Sequence, residues 1–497
     1  MPTGDGLLAR VHPPLGMLSL PQARAVAQGA RLYGNGHLDL TARANLQIRG
    51  VTEASSALLA RLLTEAGLGD SRADGGPQRL TLTQPLAGQD PAELFDVPAL
   101  AQAIETAALA IPRLPAKTLV VVEGRLDAAA PDADCLVAAR DAARVEISIA
   151  AADGMQTVTD CTTTDAPDVL TMLLTAFART GRRRMRDLSE DERAALAGAS
   201  VSSTQGQDRQ SGFPARPPSP RCGGGWPDGR PLRQQGSDQD EVPQEGNPGS
   251  GRGAPSTQHD ALVRAVAPPA RDFVPTRPPL GATRPRKGGR ETRPVPFAPA
   301  AGLLARPDHE ILALDAPFGR CTADALDRVV SAAEAVGADT IRLSPTRGFV
   351  LLAPADAPVA AVLADLAADV IVTPDDPRRC VDACTGAPGC ASGSTSTLTD
   401  AARLAARFQP LAAAGYTAHV SGCAKGCARP GPADLTLVGT HGRYGIVIGG
   451  GPGDEPALHL PIEAVLDRLG RAKTVGLSAA FTPDTTRADD RGDGRPA

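Results

Sequence analysis

The sequence predicts an α+β protein made of two related halves with a long irregular segment between them. Three observations lead to that expectation. Residue n matches residue n + 303 without a gap (311 − 8, from Leu8 against Ile311). Four cysteines near the C-terminus follow the pattern C-x5-C, then C-x3-C. A stretch rich in Pro, Gly, Arg, Gln and Ser separates the matching parts.

The repeat is legible element by element. Pro14 meets Pro317, Gly16 meets Gly319, Gly34 meets Gly337, and Ile48 meets Leu351. Each copy opens on an apolar strand, Leu7–Val11 or Ile311–Leu314, followed by a Pro/Gly turn. A helix then starts at an N-cap, Ser19 or Thr322, and stops at Gly34 or Gly337. Ser19 and Gln22 fit a capping box. Alternating apolar and polar residues follow over Leu38–Ile48 and Thr340–Leu352, the period of strands. Chance likeness of two αβ segments is the plain alternative. Agreement at both caps and strands favours duplication.

A mixed region follows each copy. Leu80–Gln84 and Thr118–Glu123 read as strands, Pro91–Leu109 and Asp165–Thr180 as helices. In the second half, Ala357–Asp369 and Thr399–Ala414 read as helices, and Asp434–Val438 with Tyr444–Ile448 as a hairpin. The segment 199–300 holds the sole tryptophan, Trp226, and has no sustained apolar period. It cannot bury enough apolar surface to offset its chain entropy and is expected to be disordered. The expected divisions are therefore 1–65, 66–198, the linker 199–300, 301–372, 373–481 and a frayed tail 482–497.

Composition narrows the function classes. A formal charge of −5 argues against a general nucleic-acid binder. Arg182–Arg184 and Arg284–Lys287 then read as solvated surface. No run of eighteen apolar residues occurs, so no membrane span is expected. The first residues, MPTGDGLLARVHPPLG, lack a charged-then-apolar leader. A cytoplasmic protein is expected, with its nine cysteines reduced.

Cys384 and Cys390 enclose Thr-Gly-Ala-Pro-Gly, and Cys423 and Cys427 enclose Ala-Lys-Gly. Four thiolates suit a [4Fe–4S] cluster. A structural zinc site also takes four, though with shorter pair spacing, C-x2-C to C-x4-C. Unligated buried cysteines are the third reading. Five of the nine cysteines lie between Cys380 and Cys427, and the spacing favours the cluster, with Cys380 as a spare. The seven histidines form no ligand-spaced group. Gly449–Gly453 could cradle an anion, but lacks the GxGxxG pattern of a dinucleotide site. Arg43 falls within an apparent alternating strand, Arg79 opens the next, and Lys117 precedes Leu-Val-Val-Val. Cations on or beside strands suit a polycarboxylate ligand. For any one of them alone, a solvated charge is the better reading.

The segments GDGLLARVHPPLG and YGNGHLDLTARANLQIRGV resemble the ferredoxin-like half-domain of the nitrite/sulfite reductase superfamily. The second copy resembles the paired half-domain, and the four cysteines match the family's cluster ligands. The resemblance implies an internally duplicated fold with two ferredoxin-like half-domains and two mixed α/β tetrapyrrole- and cluster-binding domains. It implies that Arg43 and Arg79 correspond to arginines at the anion site and tetrapyrrole carboxylates, and Lys117 to the first of two active-site lysines. The second lysine would stand at 119, where this chain has Leu119. That departure argues against six-electron reduction. CTGAPGC with HVSGCAKGCARPGPADLTLVG resembles the oxygenating branch, which acts in aerobic cobalamin biosynthesis. That branch implies precorrin-3A as substrate, O2, an electron donor (NADH-linked or ferredoxin-like) and a second, non-haem iron. No single catalytic side chain is assigned. The alternatives are a siroheme-dependent sulfite or nitrite reductase, and a zinc-bound scaffold.

Overall fold

A computed structural model describes residues 2–207, 295–429 and 431–482. Four five-stranded sheets with helices packed on them make up these residues. The first sheet runs Pro2–Thr3, Gly6–Val11, Leu46–Val51, His37–Leu40 and then Arg320–Thr322 from the second half. The second runs Gly302–Ala305, His309–Asp315, Gly348–Pro354, Thr340–Ser344 and then Met17–Ser19 from the first half. Each copy therefore lends one strand to the other. The lent strands sit 303 residues apart (320 − 17), the same offset as the repeat.

The duplication extends to the backbone. Leu15 and Ala44 have φ of 52°, and their counterparts Phe318 and Arg347 have φ of 57° and 66°. A left-handed conformation costs a residue with a Cβ about 1–2 kcal/mol. Independent sequences would not place that strain at matching positions twice. Ser19 accepts from the Gln22 N–H and Gln22 answers back, forming the expected capping box of helix Leu20–Tyr33. Thr322 caps Ala323–Ala335 through the Ala325 N–H. These two helices pack together over one apolar core common to both half-domains, including Leu38, Ile48, Leu312 and Phe349.

The remaining two sheets share a topology. Thr81–Thr83, Val120–Glu123 and Cys135–Ala139 are parallel, with Arg144–Ala151 and Gly154–Thr162 antiparallel beyond them. Val381–Ala383, Ala418–Ser421 and Ala433–Thr440 repeat the parallel part, and Arg443–Gly450 and Leu458–Leu460 the antiparallel part. Helices Val97–Leu109 and Thr397–Ala413 connect the first two strands of each, 300 residues apart (397 − 97).

Several expectations shift. Leu38–Ile48 is a hairpin, His37–Leu40 and Leu46–Val51, and Arg43 lies in its turn rather than in a strand. The alternating pattern runs through the turn because Ala44 is buried there. The helix expected from Pro91 begins at Val97, capped by Asp96. Strands Cys135–Ala139, Arg144–Ala151 and Gly154–Thr162 had not been read from the sequence. Of the segment 199–300, helix Glu190–Gln207 covers the start, and at the end Val295 bridges Ala128 while Phe297 is buried. Residues 208–294, with Cys222 and Trp226, and residues 483–497 lie outside the described residues. Among the described residues, no helix is long and apolar enough to cross a membrane.

Candidate functional site

Two loops carry the four cysteines. The first leaves the end of Val381–Ala383, and the second leaves the end of Ala418–Ser421, its parallel neighbour. Adjacent parallel strands thus deliver both cysteine pairs to one edge of the sheet. The loops touch where neither has a side chain. A Cβ on Gly422 would meet the Gly386 Cα at 3.1 Å, and one on Gly386 would meet the Thr397 hydroxyl at 2.3 Å. Contact that close requires glycine. The Gly422 N–H donates to the Cys384 sulfur at 3.0 Å. Thr397 donates to the Cys384 carbonyl at 2.6 Å, and the Cys390 N–H to the Gly386 carbonyl at 2.7 Å. Lys425 donates to Ser392 at 2.9 Å, bridging the loops at their exposed rim.

Burial pushes the Cys427 thiol up, and the neighbouring Cys384, Cys423 and Cys390 push it further. The other three cysteines therefore lie within electrostatic reach of Cys427. Among the described residues, no three His, Cys, Asp or Glu side chains converge tightly enough to hold a single metal ion. Cys380 packs on the apolar core of this domain. Cys135, Cys161 and Cys321 are buried elsewhere.

The first half shows what this place looks like without thiols. The 300-residue offset puts Gln84 and Asp90 where the second half has Cys384 and Cys390. After the next strand, Gly124 and Arg125 stand where Gly422 and Cys423 do. A buried polar network fills the space. Gln84 donates to Glu93 at 2.8 Å, and Arg125 pairs with Glu123 at 2.7 Å and Asp90 at 3.5 Å. The chain at 295–296 closes over it, with the Pro296 carbonyl accepting from Arg125. Removing the Arg125 side chain leaves Glu123 and Asp90 buried without their cation, a loss of about 3–5 kcal/mol. Arg125→Ala should lower the melting temperature by roughly 10 °C while leaving iron content unchanged. Calorimetry and metal analysis on the same sample check both halves of that expectation.

A cavity of about 300 Å³ opens beside the cysteines. Cys384, Cys427 and Thr385 line one side, Arg320 and Arg347 another, and Thr41, Ala42 and Gln47 reach in from the first hairpin. A second cavity of about 220 Å³ shares Phe318, Gly319 and Arg347 with it and carries Arg378 and Arg379. The sequence reading missed Arg320 and Arg347. The repeat held the signal for Arg347, because Thr346-Arg347 is the counterpart of Arg43-Ala44.

The three basic residues singled out from the sequence come together. Arg43 donates to the Lys117 carbonyl at 2.8 Å, and Arg79 to the carbonyl of Arg43. Arg79 also donates to the carbonyls of Pro13 and Ala44 at 3.0 Å each. Burial pushes its pKa down to about 10. Its guanidinium is thus largely spent on bolting two turns together. Arg43 differs: burial pushes it down, and the positive charge of nearby Arg184 pushes it further. Asp134 holds Arg184 there at 3.0 Å. Lys117 is exposed. Two residues on, Leu119 is 6% exposed and belongs to the shared core. His419, on the strand leading to Cys423, is fully buried without a hydrogen-bond partner for either ring nitrogen. Burial takes its pKa down to about 4, so it is neutral.

Strand-exchanged half-domains with paired mixed sheets recur in known proteins to which this chain is similar. Residues 1–66 match the family described as Nitrite/Sulfite reductase ferredoxin-like half domain. The NirA protein of Mycobacterium tuberculosis has a similar fold, with a TM-score of 0.59 at 17% identity, covering 94% of this chain and 80% of that one. In sequence the chain is similar to a precorrin-3B synthase from a Sinorhizobium species, 29% identical over 95% of this chain and 86% of the relative. A ferredoxin–nitrite reductase from Synechococcus elongatus is 32% identical over 133 residues, 25% of this chain and 26% of that protein. The full-length sequence likeness is thus to a precorrin-3B synthase, and the partial one to a nitrite reductase.

Proposed function

We propose that the protein is a cytoplasmic precorrin-3B synthase. It would hydroxylate precorrin-3A with O2 and close a γ-lactone on the ring, in aerobic cobalamin biosynthesis. One oxygen atom enters the product. The other leaves as water with two protons and two electrons from a donor, NADH-linked or ferredoxin-like. The observation that carries the reading is the cavity lined by cysteine thiols on one side and arginines on another. A redox group and a polycarboxylate ligand would meet there. The near full-length likeness to a precorrin-3B synthase supports the substrate.

Cys384, Cys390, Cys423 and Cys427 would hold a [4Fe–4S] cluster, which supplies one-electron transfer at the cavity wall. The chain's own residues do the rest. Arg347 supplies positive charge inside the cavity, where a ring carboxylate gains charge-assisted hydrogen bonds. Arg43, with Arg184 beside it and the backbone of Lys117 in contact, makes a second, cationic anchor at the first-hairpin end. Arg79 acts on this anchor by holding the turn that carries Arg43. Phe318 and Leu398 give the cavity apolar wall that excludes water from the ring face. The family resemblance also implies a non-haem iron, to which no residue is assigned.

Arg43→Gln should weaken binding of the tetrapyrrole about tenfold or more, because a charge-assisted contact contributes about 1.5–3 kcal/mol. Equilibrium titration of the anaerobic protein reads this directly. Unchanged affinity in Arg43→Gln, Lys117→Gln and Arg347→Gln alike would place the ligand elsewhere. The second reading, a siroheme-dependent reductase, draws on the partial likeness to a ferredoxin–nitrite reductase. It would need a second cation near Lys117, and the side chain at 119 is a core leucine.

A further inference from the structure

We propose that Arg49 and Arg320, joined through Asp39, are positioning residues that hold the first cysteine loop in its ligating shape. Because Arg320 arrives on the lent strand, the loop is held only when the two half-domains have exchanged strands. The inference rests on the assignment of the four cysteines to a cluster.

The chain of contacts begins at the N-terminal turn. Asp5 takes the Arg49 guanidinium at 2.7 Å through one oxygen and 2.9 Å through the other. Arg49 also donates to Asp39 at 3.0 Å. Its Nη2 then reaches across to the carbonyl of Gly389, the residue before Cys390. Gly4 donates its N–H to the same carbonyl at 3.3 Å. Asp39 in turn takes Arg320 at 2.6 Å and 3.1 Å. Arg320 donates on to the Thr385 hydroxyl at 3.1 Å, the residue after Cys384. The two arginines therefore grip the loop just inside both of its cysteines.

The geometry is specific. Asp39 and Arg320 face each other as register partners across the junction of the first-half strand His37–Leu40 and the second-half strand Arg320–Thr322. Arg49 is 4% exposed, and Arg320 and Asp39 are 16% exposed. At that burial an arginine fork keeps its direction, because every donor given up to solvent competition would leave a carboxylate unpaired. Two guanidiniums and two carboxylates cancel in charge. The network therefore fixes position rather than adding net field. Gly389 completes the fit: a Cβ there would meet Thr385 at 2.6 Å and Arg49 at 3.2 Å. The ion pairs between the paired helices, Arg31 with Asp324 and Asp327, are exposed and touch no cysteine loop. They join the same two halves and so provide the control.

The test compares Arg49→Gln, Thr385→Val and the control Arg31→Gln with the unaltered full chain. Two readouts are taken: cluster loss under a chelator, followed by visible absorption, and hydrogen exchange of the amides at 386, 387 and 389–391 in metal-free protein. Arg49→Gln should lose its cluster about tenfold faster or more, in the range seen when outer-shell partners of metal ligands are removed. Thr385→Val removes one hydroxyl at the loop end and should show a smaller acceleration with no change in melting temperature. Arg49→Lys should restore part of the retention, since it returns the charge without the fork. Exchange at these amides should rise in Arg49→Gln and Thr385→Val and stay unchanged in Arg31→Gln. If Arg49→Gln fails to fold, Thr385→Val decides. Wild-type exchange and wild-type cluster loss in the folded variants overturn the clamp. A wild-type protein that takes up no iron–sulfur group overturns the cluster assignment instead, and the exchange arm still judges the clamp on metal-free protein.

Discussion

Cys427→Ser is expected to purify without iron–sulfur absorption, without the corresponding EPR signal and with no activity on the tetrapyrrole. The same outcome is expected for Cys384, Cys390 and Cys423. The expectation rests on two loops from adjacent parallel strands, three cysteines within electrostatic reach of Cys427, and a backbone N–H at 3.0 Å from the Cys384 sulfur. Loss of an outer-shell partner to a metal ligand costs about 10–100-fold. Loss of a ligand should cost more, since three thiolates leave one corner of a cubane open. Cys135→Ser, Cys161→Ser and Cys321→Ser should keep full iron. Those thiols are buried away from the loops, and burial raises all three. The serine variants there should cost stability rather than cluster. Full iron and sulfide content in Cys427→Ser would defeat the assignment, unless a Cys380→Ser, Cys427→Ser double variant loses what the single variant kept.

The residues that were legible in the sequence are those with strong local rules. Ser19 and Gln22 announce their capping box because both partners lie within one helical turn. The 303-residue offset exposes the duplication because turns, caps and strands fall in step. The cysteine pairs announce themselves by spacing. What escaped has a non-local cause. The strands Met17–Ser19 and Arg320–Thr322 are three residues each and pair with the other half of the chain. No local pattern encodes a partner some three hundred residues away. Arg320 was missed for the same reason, since its place in the cavity comes from tertiary assembly, whereas Arg347 could have been found by carrying Arg43-Ala44 through the repeat. Arg43 was misplaced into a strand because the buried Ala44 continues the alternating pattern through a turn. The network of Gln84, Asp90, Glu123 and Arg125 was invisible because its members look like ordinary surface polar residues. It emerges only once the cysteine loops are laid on their counterparts.

The reaction itself gives the second large expected effect. Supplied with precorrin-3A, O2 and a reductant, the protein should yield a hydroxylated lactone, and heavy O2 should place one labelled atom in the product and one in water. Sulfite or nitrite with an artificial donor should turn over at least about a hundredfold more slowly than in a siroheme reductase, the scale expected when one positioned donor to a developing charge is missing. The argument turns on position 119. Protonating a bound oxyanion needs cations and acids set at fixed places. Lys117 is exposed, but the Leu119 side chain is buried in the core common to the two half-domains, and its backbone N–H donates to Asp134 at 3.0 Å. A lysine cannot be supplied there without burying its charge in apolar surroundings. The arginines of the cavity, by contrast, suit a ligand that brings several carboxylates of its own. Cysteine variants should lose turnover yet still bind the tetrapyrrole, because Arg43 and Arg347 do not depend on the cluster for their charge. Anaerobically purified protein that carries stoichiometric siroheme and reduces sulfite or nitrite at a reductase's rate would show that Leu119 is tolerated in a reductase, and the oxygenase reading would fall.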